Sequence, residues 1–93
     1  MNLPIDYEDA TWEERKEARE QYVALQEGKC WHCKEPLDGL SHEGIRNEVI
    51  DWNYFPPNFL RYPIHLHHDH DTGLTEGAVH AFCNAFMWQY EGE

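Results

Sequence analysis

The chain has 93 residues, which suits one small domain whose core needs further stabilisation from a metal, a disulfide or a partner. It contains 18 acidic and seven basic residues, and the net charge of -11 excludes a protein that binds polyanions through a broad basic surface. No stretch reaches the roughly 18–20 apolar residues of a transmembrane helix, and the first residues do not resemble a secretory signal. We therefore expect a soluble cytoplasmic protein without membrane contacts.

Residues 1–10 are predicted to form an irregular acidic arm, and a helix is predicted over residues 11–27. Thr11 is placed to cap this helix, and Glu14, three residues later, completes a capping box. Gly28 is a typical left-handed stop after the last turn. Helical spacing predicts that three residues share one face of the helix: Ala18, Tyr22 and Leu25.

The next part of the chain has fewer signals. A tight turn over residues 30–36 is followed by an insert over residues 37–63, in which residues 48–52 have strand character. The aromatic residues of the insert either belong to the core, or form a docking surface, or stack on bases, with Arg46 and Arg61 as phosphate contacts. These aromatic residues are Trp52, Tyr54, Phe55, Phe59 and Tyr62.

Residues 64–90 are predicted to form a strand–strand–helix core. Ile64 and Leu66 alternate with His65 and His67, which predicts a strand with apolar residues on one face and imidazoles on the other. The other expected elements are a turn at 71–73, a second strand near 77–79, and a helix from about 82 to 90 with Phe82, Ala85, Phe86 and Gln89 near one stripe.

Two ligand pairs predict a metal site. Cys30 and Cys33 form a C-x-x-C pair, and His80 and Cys83 form a second pair with the same spacing. Together they supply the four ligands of a closed, structural zinc site. Cys83 at a helix start would have its thiolate stabilised by the helix dipole. The alternatives are that the first pair consists of free or redox-active thiols, and that His80 is replaced as a ligand by His32, His42 or His65.

The run from His67 to Asp71, together with Asn84, needs a separate explanation once zinc is assigned. Alone, the run also fits a solvated loop or an adventitious metal site. In context, H-H-D-H-D-T-G-L-T-E-G-A-V-H-A-F-C-N resembles the recombination endonuclease VII family of HNH nucleases. The pattern of that family is roughly D-H-D-H-x-T-G-x-x-R-G-L-L-C-x-x-C-N, with a C-x-x-C upstream. The resemblance covers about residues 20–35 and 64–86.

The resemblance implies a single domain over residues 1–93. Its fold would be small α+β, with a zinc-stabilised ββα-metal core of the treble-clef-like, His-Me finger type and an N-terminal helix. The resemblance also implies Zn²⁺ bound by four ligands, with a histidine in place of the family's usual cysteine: Cys30, Cys33, His80 and Cys83.

The resemblance further implies a hydrolytic site. His68 matches the general base that activates water, which suits an imidazole near neutral pH. His67 and Asn84 match the ligands of a catalytic Mg²⁺ or Mn²⁺ ion, with His67 in place of the family's aspartate. Asp69 and His70 match the rest of the motif and are expected to orient the site or to contact phosphate.

The implied function is a metal-dependent endonuclease that hydrolyses or nicks DNA, encoded by a phage and active in the bacterial cytoplasm. Glu76 replaces an arginine of the family, and residues 65–93 contain no Lys or Arg. DNA binding would then draw on a larger DNA-processing partner with a basic surface. The alternative is an acidic, zinc-stabilised interaction module or DNA mimic on the same fold, with weak or no nuclease activity.

Overall fold

The structure is a computed structural model that describes residues 1–92. Within this range the two strands form an antiparallel sheet, and the first and last helices pack against it, so the fold is small α+β, as predicted. No helix in these 92 residues is both long and apolar enough to cross a membrane. The elements are α1 (Trp12–Leu25), the one-turn α2 (Glu43–Arg46), 3-10 turns at Trp52–Tyr54 and Phe59–Arg61, β1 (Ile64–His68), β2 (Thr75–His80) and α3 (Ala81–Tyr90).

The start of α1 follows the sequence signal. The Thr11 hydroxyl accepts the Glu14 N–H at 3.1 Å, and the Glu14 carboxylate accepts the Thr11 N–H at 2.9 Å, so both halves of the capping box are formed. After the helix, Gly28 has φ of 75°, in the left-handed region. The predicted N-terminus is confirmed, and Gly28 has the predicted left-handed conformation, but the helix ends at Leu25 and not at residue 27.

Two of the three residues predicted to share one face of α1 are buried. Ala18 and Tyr22 are buried, whereas Leu25, in the last turn, is 72 % exposed. The helix ends at Leu25, and the next residue, Gln26, takes over the contact with the sheet. Its amide accepts the Ala78 N–H at 2.9 Å and donates to the Ala78 carbonyl at 2.9 Å.

The N-terminal arm is bound to the sheet, which its acidic composition does not predict. Tyr7 N–H donates to Gly73 O at 2.8 Å, and Thr75 N–H donates to Ile5 O at 3.0 Å. Leu3, Ile5 and Tyr7 pack against the core. Their spacing of two residues is that of an extended segment with one apolar side.

The insert is bound to α3 by side chains instead of contributing a strand. The strand predicted at 48–52 is wrong, because Asp51 caps a 3-10 turn and accepts the Asn53 N–H at 3.0 Å. The Asp51 N–H donates to the Gln89 side chain at 2.9 Å. The Val49 carbonyl accepts from Gln89 at 2.9 Å and from the Tyr90 hydroxyl.

The buried positions of α3 also differ from the predicted stripe. Of that stripe only Ala85 is buried, while Phe82, Phe86 and Gln89 are half-buried. The helix lies between the sheet and the insert, so two of its sides are covered; Phe82 lies 5.5 Å from Trp52 of the insert, ring to ring. The fully covered residues are Ala81, Cys83, Ala85 and Met87.

Gly77 lies in β2 where Trp31 crosses the strand. A Cβ at this position would lie 2.7 Å from Trp31 Cγ and 2.8 Å from Gln26 Oε1. Gly77→Ala is therefore expected to lower the free energy of unfolding by about 1–3 kcal/mol, as overpacking does. Urea denaturation of the zinc-loaded protein measures this. Gly39→Ala is the control, since its Cβ would lie 3.7 Å from Pro36 O; equal stability of the two variants would contradict the expected overpacking.

Candidate functional site

Four potential metal ligands converge where β2 meets α3. All their ligand atoms lie within 4.8 Å of one another. His80 Nδ1 lies 3.4 Å from Cys33 Sγ and 3.8 Å from Cys83 Sγ. A sulfur and a nitrogen ligand of one tetrahedral zinc ion lie about 3.5 Å apart, given bonds of about 2.3 and 2.0 Å. The group fits a structural metal such as zinc, and it contains the predicted residues Cys30, Cys33, His80 and Cys83.

Hydrogen bonds select His80 over the alternative histidines. His80 Nε2 donates to the Pro36 carbonyl at 2.8 Å, so Nδ1 carries the lone pair that faces the sulfurs. The other three candidates have different partners: His42 accepts the Gly44 N–H at 3.0 Å, His65 contacts Phe59 O at 2.9 Å, and His32 lies 3.2 Å from the Glu91 carboxylate.

The thiols of Cys30 and Cys83 form a hydrogen-bonded pair. A hydrogen bond from the Cys83 thiol lowers the pKa of Cys30 to about 4. The same hydrogen bond, with burial, raises the pKa of Cys83. Thiolates are the form that binds zinc, so metal binding would release the thiol protons.

His67 and Asn84 come together on the other side of α3's first turn. His67 Nδ1 lies 3.3 Å from Asn84 Oδ1. The Asn84 amide is oriented by His65, whose Nδ1 lies 3.1 Å from Asn84 Nδ2 and whose Nε2 donates to Phe59 O. Burial lowers the pKa of His65, so its ring is neutral and Nδ1 accepts from the amide. The amide oxygen, and not the nitrogen, therefore faces His67.

A β-bulge separates His67 from His68. His67 pairs with Gly77 and His68 with Thr75, so Glu76 is the extra residue of β2. Consecutive side chains of a regular strand face opposite sides, and a bulge interrupts this alternation. His67 and His68 both belong to the lining of the cleft, as do the other residues of β1. The alternation seen in the sequence does not predict the bulge.

His68 stacks on a residue of the N-terminal arm. Its ring centroid lies 4.0 Å from that of Tyr7, with 8° between the planes. The Arg15 guanidinium lies 4.0 Å from the Tyr7 centroid, and Arg15 Nε donates to Tyr7 O at 2.9 Å. Burial, followed by the nearby His70, lowers the pKa of His68 and favours the neutral imidazole. No motif in the sequence connects Tyr7 or Arg15 to this site.

Asp69 has a local structural role. Its carboxylate accepts the N–H groups of Asp71 at 2.7 Å and Thr72 at 3.1 Å. These hydrogen bonds, that of Thr72 first, lower the pKa of Asp69. Its carbonyl also accepts the Gly73 N–H at 2.7 Å. Asp69 thus orders the turn after β1, while the exposed His70 lines the cleft 4.9 Å from His68, ring to ring.

The imidazoles and Asn84 line a cleft of about 530 Å³. One wall comes from α1 and the opposite wall from the insert and α3. The wall from α1 includes two arginines, so basic side chains lie near the histidines although residues 65–93 contain no Lys or Arg. The walls are formed by Trp12, Arg15 and Arg19 on one side, and by Tyr54, Phe55, Phe59, Tyr62 and Trp88 on the other.

The chain therefore has two sites of different kinds. The Cys3His group has four protein ligands, as structural zinc sites do. The second site has His67, His68 and Asn84 beside an open cleft. Comparisons of the chain with protein-family models, with curated proteins and with solved structures found no match.

Proposed function

We propose that the protein is a metal-dependent endonuclease of the HNH, His-Me finger type, with a zinc-stabilised ββα core, that hydrolyses DNA phosphodiester bonds. The carrying observation is the 3.3 Å distance between His67 Nδ1 and Asn84 Oδ1. Two neighbouring ligands of an octahedral ion with bonds of about 2.1 Å lie about 3 Å apart. The pair therefore fits one Mg²⁺ or Mn²⁺ ion, and two protein ligands leave positions for water and phosphate.

Other residues of the chain would carry out or support the remaining steps of hydrolysis. When bound, the divalent ion would stabilise negative charge on the phosphate and on the leaving oxygen. Neutral His68 would accept the proton of the attacking water. Tyr7 fixes the plane of the His68 ring by stacking, and His65 fixes the Asn84 amide with its oxygen towards His67.

The charge pattern of α1 supports DNA in the cleft despite the net charge of -11. At about 100° per residue, the cleft residues of α1 and Lys16 fall within about 100° of one another around the helix. The helix's four glutamates fall within about 120° on the other side. The side of α1 towards the cleft therefore carries Arg15 and Arg19, while Lys16, at its edge, forms an ion pair with Glu20 at 3.3 Å. The two sets are Trp12, Arg15, Lys16 and Arg19, and Glu13, Glu14, Glu17 and Glu20.

Cleavage of supercoiled plasmid and of single-stranded circular DNA tests this proposal. At low salt, zinc-loaded protein is expected to cut DNA with Mg²⁺ or Mn²⁺ and not without added divalent ion. Asn84→Ala removes one ligand and is expected to lower the rate about 100-fold. Asn47→Ala is the control, since this exposed asparagine ends α2 and does not line the cleft.

A folded, zinc-loaded wild type that leaves both DNA forms intact with either ion would contradict the endonuclease proposal. Such a result, repeated beside a DNA-processing partner with a basic surface, would favour the interaction module instead. The side of α1 that carries the four glutamates would then bind a basic partner, since no Lys or Arg lies among them on that side.

A further inference from the structure

The aromatic residues around the cleft fall into two groups. Phe55 and Phe59 are half-buried and in mutual contact, with ring centroids 4.8 Å apart, and Phe59 lies 4.7 Å from His65, ring to ring. These two rings are structural and support the site. Tyr7 is half-buried as well and stacks on His68. Four further rings that line the cleft are exposed: Trp12 is 71 % exposed, Tyr54 68 %, Tyr62 62 % and Trp88 46 %.

Four exposed aromatic side chains around one cleft indicate a ligand with flat apolar faces. Single exposed aromatic residues are common on protein surfaces, whereas a cluster of four is not. Unpaired bases have such faces, and their stacking on aromatic side chains does not depend on sequence. In a duplex these faces are covered by neighbouring base pairs. The rim therefore favours a single strand over a double helix.

The positive charge at the cleft is also small. Duplex DNA carries one negative charge per about 1.7 Å of its axis, and proteins bind it by neutralising many phosphates. The cleft offers Arg15 and Arg19, and the rest of the chain is strongly acidic. Two arginines match the few phosphates of a short single strand, and stacking supplies affinity that needs no further cations.

The volume points the same way. A cleft of about 530 Å³ has the size of a pocket for a small organic molecule. It accommodates one or two nucleotides instead of a turn of duplex. His68 lines the cleft, so a phosphate between stacked nucleotides would lie close to the candidate general base.

We propose that this cleft binds an unpaired segment of DNA, with one or two bases stacked on its exposed rings, Tyr54 among them, and phosphates at Arg15 and Arg19. Single strands are then the substrate class of the endonuclease proposed above, on which that part of the inference rests. The segment would be a flap, a gap or a displaced strand, since these are the unpaired forms of DNA.

Fluorescence anisotropy measures the proposed binding without any cleavage step. The probes are a labelled ten-nucleotide oligothymidylate and a labelled ten-base-pair hairpin, at low salt, with zinc-loaded protein and no added divalent ion. We expect the single strand to bind at least about 10-fold more tightly than the hairpin. Tyr54→Ala is expected to weaken single-strand binding about 5-fold or more, because a stacked base loses its platform. Tyr54→Phe keeps the ring and should keep wild-type affinity.

A second variant tests the phosphate contacts. Arg19→Gln should weaken binding and lower the salt dependence by about one phosphate contact. Equal affinity for the hairpin and the single strand, or wild-type affinity in Tyr54→Ala, would overturn the inference. Tight single-strand binding by a protein that cuts no DNA would support the assigned ligand and overturn the nuclease proposal, so the two failures are distinct.

Discussion

Cys30→Ser is expected to unfold most of the domain and to release its metal. Wild-type protein should contain about one tightly bound zinc per chain, because structural zinc binding contributes roughly 10–16 kcal/mol at neutral pH. The total stability of a domain is about 5–15 kcal/mol, so loss of a ligand removes most of it. Cys30 is also 1 % exposed and belongs to the hydrophobic core, in which Cys83 is fully buried.

Circular dichroism and elemental analysis measure this outcome together. His42→Ala is the matched control, since His42 is a histidine near the metal group that caps α2 instead of binding metal. Its loss should cost about 1 kcal/mol and leave the zinc content unchanged. A Cys30→Ser protein with native helix content, or a wild type that stays folded after its zinc is removed by a chelator, would rule out a structural zinc site.

Unfolding at the zinc group should also abolish the second site, because the two share residues of the same segments. Trp31, between two of the cysteines, lies 5.4 Å from His67, ring to ring. Cys83 directly precedes Asn84 in the first turn of α3. The Cys3His group therefore lies next to both partners of the 3.3 Å contact between His67 and Asn84.

Local signals in the sequence predicted most of the elements and the Cys3His group that could hold a metal. Thr11 and Glu14 form their capping box because both groups lie within one turn of helix. The alternation at Ile64 to His67 gives β1, with His65 and His67 both reaching Asn84. Signals of this kind need only neighbouring residues, so they do not depend on how the rest of the chain folds.

Contacts between distant segments were not predictable from such signals. Leu25 is exposed, and Gln26 contacts the sheet instead, because α1 ends at Leu25 and the Gln26 side-chain amide reaches Ala78. Residues 48–52 form no strand because α3 side chains bind their backbone. Tyr7 lies against His68 because the N-terminal arm pairs with Gly73, in the turn before β2. These two segments are far apart in the sequence.

Composition gave a misleading impression of the cleft. The net charge describes the whole chain, whereas a ligand meets one side of α1. Arg15 and Arg19 lie on that side because they are four residues apart, and the glutamates lie on the other. Residues 65–93 contain no Lys or Arg. The fold nevertheless brings Arg15 and Arg19 of α1 to the cleft lined by the histidines of that segment.

His68→Ala is expected to lower the rate of DNA cleavage by about 10²–10⁴-fold, the usual contribution of a general base. The fold and the zinc content should not change, because His68 is half-buried on the surface of Tyr7 and lies outside the core. The rate of cleavage at saturating DNA measures the chemical step. His42→Ala is the control, an exposed imidazole that caps α2 and does not line this cleft, for which no loss of rate is expected.

Tyr7 variants separate positioning of His68 from simple support of the fold. Tyr7→Phe keeps the stacked ring and should keep kcat, whereas Tyr7→Ala frees the imidazole and should lower kcat more than it raises KM. The backbone contacts of the arm do not require the ring, so both variants should keep the pairing with Gly73. Wild-type kcat in His68→Ala would contradict the assignment of His68 as the general base. Wild-type kcat in Tyr7→Ala alone would contradict only the positioning role of Tyr7 and would leave His68 as the base.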